Sequence, residues 1–374
     1  MGDVRNEKAD REATIASIWD APRQPMRKGA WLWWFWLFFI HDKDTAKTGK
    51  CRQLMILWSI KNDKKIKCNP LDIELPLKIV EKEGAFEMNG AAAAWYFDGE
   101  RMQEDFVLEN SILRLDPKKK TLEAPGATPS SFYLEEEEFV TKIETHALKF
   151  EFRAKKTDPH PAVGPTYGKS ALPFGMEIEG TRVEITELGG CITSADGKKE
   201  KIGGTAYFQK ILLAAPPPQW YWGLYHFSDG SFFTYMLPYL GKATLADNLW
   251  KGASLSSSLL PANKDIMLYH APSGRLFEGK DLAVKPSKAK SPDCWLHEIK
   301  GGGKGFSITA EAEGYAHACW KFEKNVAFLP VQSKFLYNEY PAFIRKLAAK
   351  LESGEEITLE NGVGNMENSW GFLI

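Results

Sequence analysis

The chain has no excess of either charge: 48 Lys and Arg stand against 49 Asp and Glu over 374 residues, a formal net charge of -1 at pH 7. Nucleic-acid binding draws most of its affinity from a basic footprint, and none is present, so no nucleic-acid partner is expected. Cysteine is scarce. The five, Cys51, Cys68, Cys191, Cys294 and Cys319, are odd in number, widely spaced and without a C-x-x-C, which fits neither a disulfide framework nor a zinc ribbon. There is no N-x-[ST] sequon, and the charged first dozen residues hold no apolar core of signal-peptide length, so a cytoplasmic protein is expected. Long apolar runs are missing too. The longest, Ala30 to Ile40 (AWLWWFWLFFI), ends at polar His41-Asp42-Lys43-Asp44 and is too short for a helical span, which takes ~20 residues. As a strand rising ~3.3 Å per residue it makes one long buried element. Contact with a membrane surface is the lesser alternative.

The familiar catalytic signatures are also lacking. Gly301-Gly302-Gly303-Lys304-Gly305 does not have the G-x-x-x-x-G-K-[ST] arrangement and reads as a flexible turn. There is no G-x-S-x-G, no H-E-x-x-H and no EF-hand loop, and Ser287 and Lys290 match S-x-x-K only within a Pro/Lys stretch. The seven histidines are nowhere at metal-ligand spacing, and His317-Ala318-Cys319 has no partner pair nearby, so neither a metal nor a cofactor is expected.

What the sequence does have is aromatics, 22 Phe, 13 Trp and 12 Tyr, and 44% hydrophobic residues, too many for a disordered chain. Strand signals dominate from Trp31 onward: 53–60, 94–98, 149–153, 181–188, 205–213, 220–227, 231–237 and 305–310 are short apolar or alternating runs. Asn89-Gly90, Asp98-Gly99, Asp196-Gly197 and Asp229-Gly230 supply hairpin turns between such runs. The class is mainly β and antiparallel. Helical period is confined to the segment before Trp19 and to Pro341 to Glu352, where Phe343, Leu347 and Leu351 recur every four residues and Gly354 follows, predicting a short C-terminal helix. The Pro- and Gly-rich stretch Lys155 to Pro173 reads as an inter-domain crossing or long loop, and Lys285 to Asp293 as a surface loop.

A weak repeat lies across that crossing. Trp31-Leu32-Trp33 and Trp220-Tyr221-Trp222 each open an apolar strand that leads to a histidine, His41 or His226, about half the chain apart. It predicts two tandem β-domains, barrels or curved sandwiches, over 29–172 and 173–374, after an N-terminal extension over 1–28.

The candidate site follows from strand period. Trp220, Trp222, Leu224 and His226 share one strand face, as do Tyr207 and Gln209 on theirs. Turned into a barrel, they form an apolar cavity with a few fixed polar groups, the usual makeup of a small-molecule site. Core packing is the competing assignment for each. Tyr235 belongs to the same stretch, Trp33 and Trp95 are further wall candidates, and Tyr337 and Glu339 share a face within Leu336 to Tyr340.

The Trp-rich strand WLWWFW, the G-x-A-Y of Gly204 to Tyr207, W-x-W-G from Trp220 and the D-G-x-x-x-x-Y of Asp229 to Tyr235 resemble the lipocalin-like superfamily of hydroxyneurosporene synthase (carotenoid 1,2-hydratase) and the AttH-type proteins. Fungal decalin-forming Diels-Alderases and tocopherol cyclase are more distant members. The resemblance spans Trp31 to the C-terminus and implies two lipocalin-like antiparallel β-barrels with a ligand pocket near the inter-domain region. It also implies an apolar isoprenoid or polyene ligand that is hydrated, isomerised or cyclised. Where the hydratases place an Asp/His-Asn-Trp cluster this chain has Phe208 to Leu212, and Leu237 replaces a second acid. Gln209 can hydrogen-bond but cannot protonate an alkene, so His226 and Glu339 are the substitute catalytic candidates. Two other readings stay open: a non-catalytic carrier or sensor of an apolar ligand, and a glycan-binding or glycan-active β-protein with Asp98, Glu104, Asp229 or Glu339 as its carboxylates.

Overall fold

In the computed structural model, residues 11–22, 24–63, 65–74, 78–155, 165–172, 176–215, 219–239, 264–291, 293–325 and 332–371 are described. Among them the alternating runs form 24 strands, β1 to β24. The first fourteen are β1 (Trp31–Ile40), β2 (Arg52–Lys61), β3 (Lys65–Cys68), β4 (Leu71–Glu74), β5 (Ile79–Lys82), β6 (Ala85–Phe97), β7 (Met102–Asp116), β8 (Thr121–Ala124), β9 (Ser130–Glu135), β10 (Glu138–Glu144), β11 (Leu148–Lys155), β12 (Thr166–Leu172), β13 (Met176–Ser194) and β14 (Lys199–Ala214). Ten of them run in the order β11-β10-β9-β8-β7-β6-β2-β1-β14-β13, and a β13–β11 pairing closes the ring into an antiparallel barrel. β5 is an extra strand on β6, and β12 on β13.

Aromatics fill this barrel. One face of β1 sends in Trp36 and Phe38: Trp36 lies 4.9 Å from Phe208 and 5.3 Å from Phe132, and Phe38 stacks on Phe152 at 3.9 Å. Each buried ring removes 150–250 Å² from water, and the offset and tilted contacts add about 0.5–1.5 kcal/mol per pair. The segment before Trp19 is helical, over 11–16 and then Ser17–Trp19, as its sequence suggests; it sets Trp19 against Phe132 at 4.6 Å.

The remaining strands are β15 (Gln219–His226), β16 (Phe232–Tyr239), β17 (Asp265–His270), β18 (Arg275–Gly279), β19 (Asp281–Lys288), β20 (Trp295–Gly303), β21 (Phe306–Gly314), β22 (Ala318–Asn325), β23 (Gln332–Leu351) and β24 (Glu356–Gly371). They form a second antiparallel sheet in the order β18-β17-β16-β15-β24-β23-β21-β20-β19, with β22 also on β23. Its inner face buries Tyr225, Phe233, Tyr235, Ile299, Tyr340, Ile344 and Leu347 in one core.

Two compact units result. One comprises Met1–Ile40, Leu54–Trp95 and Asp105–Pro216; the other His41–Gln53, Tyr96–Glu104 and Pro217–Ile374. The division does not fall at residue 173: β13 and β14 complete the first barrel because β14 pairs along the whole of β1, from Trp31↔Leu213 to Ile40↔Gly204. Two further expectations are corrected. Pro341 to Glu352 is no helix but the second half of β23, paired with β21 and β24. Lys285 to Lys288, expected in a loop, continue β19, with Lys285 opposite Glu298. Of the Pro-rich stretch, 166–172 forms β12, while 156–164 and 173 lie outside the described residues.

Candidate functional site

The strand-period pairing of side chains holds, but the faces are not those of a barrel interior. On β14 it is Phe208 that enters the first core, so Tyr207 and Gln209 occupy the opposite face, where Tyr207 Oη donates to Gln209 Oε1 at 3.2 Å. Trp33 stands on that face of β1, its ring 6.0 Å from that of Trp31. Trp95, in the same unit, is fully buried.

In the second unit, Tyr221 and Tyr225 of β15 turn toward the core, which leaves Trp220, Trp222, Leu224 and His226 on the other face. Cross-strand register shows what joins them there. On β24, Ser369, Glu367, Asn365 and Val363 stand opposite these four residues in turn. On β23, Glu339 is opposite Glu367, and on β22 Ala318 is opposite Glu339. Trp222, Glu367 and Glu339 therefore form one row across three strands. All three are buried, Glu339 to 1% exposure and Glu367 to 5%.

Sequence reasoning missed Glu367, which holds this site together. The indole N–H of Trp220 donates to one carboxylate oxygen and Tyr337 Oη to the other, at 2.8 Å for Tyr337. Burial pushes the Glu367 carboxyl up to about 7, against the pull of those two donors. Tyr337 keeps its proton well past its usual range, first because it is buried and then because Glu339 and Glu367 both face it. Rings surround the carboxylates: Trp220 lies 5.6 Å from Phe335 and 5.9 Å from Tyr337, and Trp320 lies 6.2 Å from Tyr337. The Trp320 indole in turn donates to Glu104 O at 3.4 Å. The result is a pair of buried carboxyls among aromatic faces, with one member able to carry a proton at neutral pH.

The structure separates the two candidate acids. His226 lies four residues along β15 from Trp222, about 13 Å at the strand rise. It pairs with Val363 and neighbours His41 rather than Glu339. Tyr235 is on the inner face, where its hydroxyl hydrogen-bonds His297 Nδ1 at 2.7 Å. His297 is wholly buried, and burial lowers its pKa to about 3, so the ring is neutral. Its alternation with core Ile299 on β20 is the only signal in sequence that could have placed it inward.

Among the described residues no cluster of three or more His, Cys, Asp or Glu could hold a metal ion. His317 instead bonds Asn338 Oδ1 at 2.9 Å and stacks on Tyr340. No helix among the described residues is long and apolar enough to cross a membrane.

No family model and no curated protein matches the sequence. Solved structures do match. A provisional AttH protein of Nitrosomonas europaea shares 13% identity, with 95% of this chain and 98% of that chain covered at a TM-score of 0.50. CghA shares 9% identity over 92% of this chain and 89% of that chain, at a TM-score of 0.48. In fold, the chain is mainly β and lipocalin-like, of the same kind as that AttH protein.

Proposed function

We propose that the chain binds an apolar isoprenoid- or polyene-type small molecule against Trp220, Trp222, Tyr337, Glu339 and Glu367. Glu367 is the acid in its hydration, isomerisation or cyclisation. One observation carries this reading: a buried carboxyl, held near neutrality by desolvation, stands among aromatic rings and beside a second carboxyl. Protonating an isolated alkene needs an acid that still holds its proton at working pH, which an exposed glutamate does not. The proton moves from Glu367 to one alkene carbon and leaves a cation on the other. The negative faces of Trp220 and Tyr337 stabilise that charge. Glu339 is placed to take a proton back, from a neighbouring carbon in an isomerisation or from added water in a hydration. In a cyclisation, folding the substrate against the aromatic wall lowers the barrier without further acid.

An open Trp platform, which a glycan reading calls for, is not what the site offers, because Trp222 is buried and Trp220 partly so. Retinol serves as a fluorescent polyene probe. Trp222→Ala is expected to weaken its binding about tenfold, and superimposable titration curves would remove the ligand from this face. Incubation with linear polyenes, followed by mass analysis, is expected to give a hydrated or rearranged product that Glu367→Gln no longer forms. Recovery of every candidate unchanged by the wild type leaves a carrier in place of an enzyme.

A further inference from the structure

A charged side chain sits where the alternation of β14 calls for an apolar one. Phe208, Lys210 and Leu212 share the inward face, and Lys210 stands opposite Trp34 on β1 and Thr181 on β13. Around it the end of the first barrel leaves a cleft of about 300 Å³, roofed by the helical segment before Trp19. Its apolar walls include Leu32, Leu212 and Pro22, and its polar ones Ser17 and Thr181, whose hydroxyls are 2.8 Å apart.

Two of the three ammonium protons of Lys210 are used. Nζ donates to Ser17 O and to Asp20 O, each at 2.8 Å, and lies 5.5 Å from the centre of the Trp34 ring. The third N–H has no acceptor among the described residues. Nor, among the described residues, is the charge neutralised by a partner. The described acidic groups facing it are Asp20 from the N-terminal segment and Glu179 from β13, and neither comes within ion-pair distance of Nζ. Glu179 is engaged by Lys169 at 3.2 Å and accepts from Tyr167 Oη at 3.3 Å, both on β12. A half-buried ammonium with one unused donor and no counter-ion among the described residues, set in a cleft with apolar walls, is the receptor an organic anion needs.

We propose that this end of the first barrel binds a small carboxylic acid, its carboxylate on Lys210 Nζ and its short apolar body against Leu32, Leu212 and Pro22. The cleft is at the small end of the range for ligand sites, which selects a short chain or one ring over a long polyene. The surroundings agree: burial lowers the Lys210 pKa to about 8 despite Asp20 and Glu179, so the charge lacks compensation that an arriving carboxylate supplies.

Hexanoate and hexanol, titrated calorimetrically into the full chain, test this. Hexanoate is expected to bind the wild type at least tenfold more tightly than hexanol. Its affinity is expected to fall as pH rises through about 8, where the ammonium loses its proton while hexanoate stays charged. Lys210→Met, which keeps most of the side-chain stem, is expected to lose that preference and that pH dependence, whereas Trp222→Ala keeps both. The proposal is overturned if the wild type binds hexanol as well as hexanoate, if it binds neither at millimolar concentration, or if hexanoate affinity is flat from pH 6 to 10. The first and last comparisons need no variant, so a Lys210→Met chain that fails to fold leaves the test intact.

Discussion

Single positions decide which face of a sheet becomes chemistry and which becomes core. On β15, Gly223 lies between Trp222 and Leu224, opposite Tyr235. A Cβ at Gly223 would sit 2.5 Å from Tyr235 Cε1 and 2.8 Å from its hydroxyl, so the glycine is what lets that ring lie flat on the strand and reach His297. Gly223→Ala must therefore displace the ring and strand a buried imidazole. Overpacking and the lost hydrogen bond together are expected to cost about 2–4 kcal/mol, read as a lowered urea midpoint at unchanged slope. At this scale the sequence was half legible. Trp220, Tyr337 and Glu339 were visible as aromatic or charged residues on alternating runs. Glu367 was not, because Met366 to Ser369 carries no aromatic signature, and only the β15–β24 register puts it opposite Trp222 and within reach of the Trp220 indole.

Among the elements, β23 shows how a strand imitates a helix. Tyr340, Ala342 and Ile344 face the core at period two, and Leu347 and Ala349 resume it after a register shift opposite Ala310 and Ala312. The extra residue in β23 leaves Arg345 and Lys346 both exposed. Such a bulge turns spacings of two into a spacing of three, and the eye then finds Phe343, Leu347 and Leu351 at helical intervals. β13 meets a related demand with glycine. Its first half pairs with β12 and its second with β11, with a register shift between Ile185 and Leu188 in its ladder with β14, and that change of partner closes the barrel. Gly190, at φ 149°, lies against the Glu151 carbonyl so closely that a Cβ would collide with it. Gly190→Ala is expected to destabilise the closure by about 1–3 kcal/mol. Hydrogen exchange localises the effect: amides of β11 and of 188–194 should lose protection, while those of β1 and β2 keep it. Equal loss throughout the barrel would show that Gly190 does not act at the seam.

For the whole molecule, composition and the Trp repeat were enough to read two β units, but not where one ends. The Pro-rich stretch looked like a crossing, whereas β13 and β14 beyond it are needed to complete the first barrel. Burial of ionisable groups is equally illegible in sequence, and here it sets how stability responds to pH. His297, lowered to about 3 in the folded chain, is protonated only in the unfolded chain between about pH 3 and 6.5. The unfolded state then binds more protons, so this group makes stability fall as pH falls, by about 1.4 kcal/mol per pH unit. Glu367, raised to about 7, does the reverse: between about pH 4.3 and 7 only the folded chain holds its proton, so stability falls as pH rises. From about pH 4.5 to 6.5 the two contributions oppose each other at similar size. Substitution should unmask them. Relative to wild type, Glu367→Gln is expected to gain a positive slope of about 1.4 kcal/mol per pH unit in that window, and His297→Gln a negative slope of like size. Urea titrations at pH 4.5, 5.5 and 6.5 measure all three chains against the same background of surface carboxylates. Parallel profiles would mean that neither group is held in the ionisation state its burial dictates, and the acid role of Glu367 would fall with it.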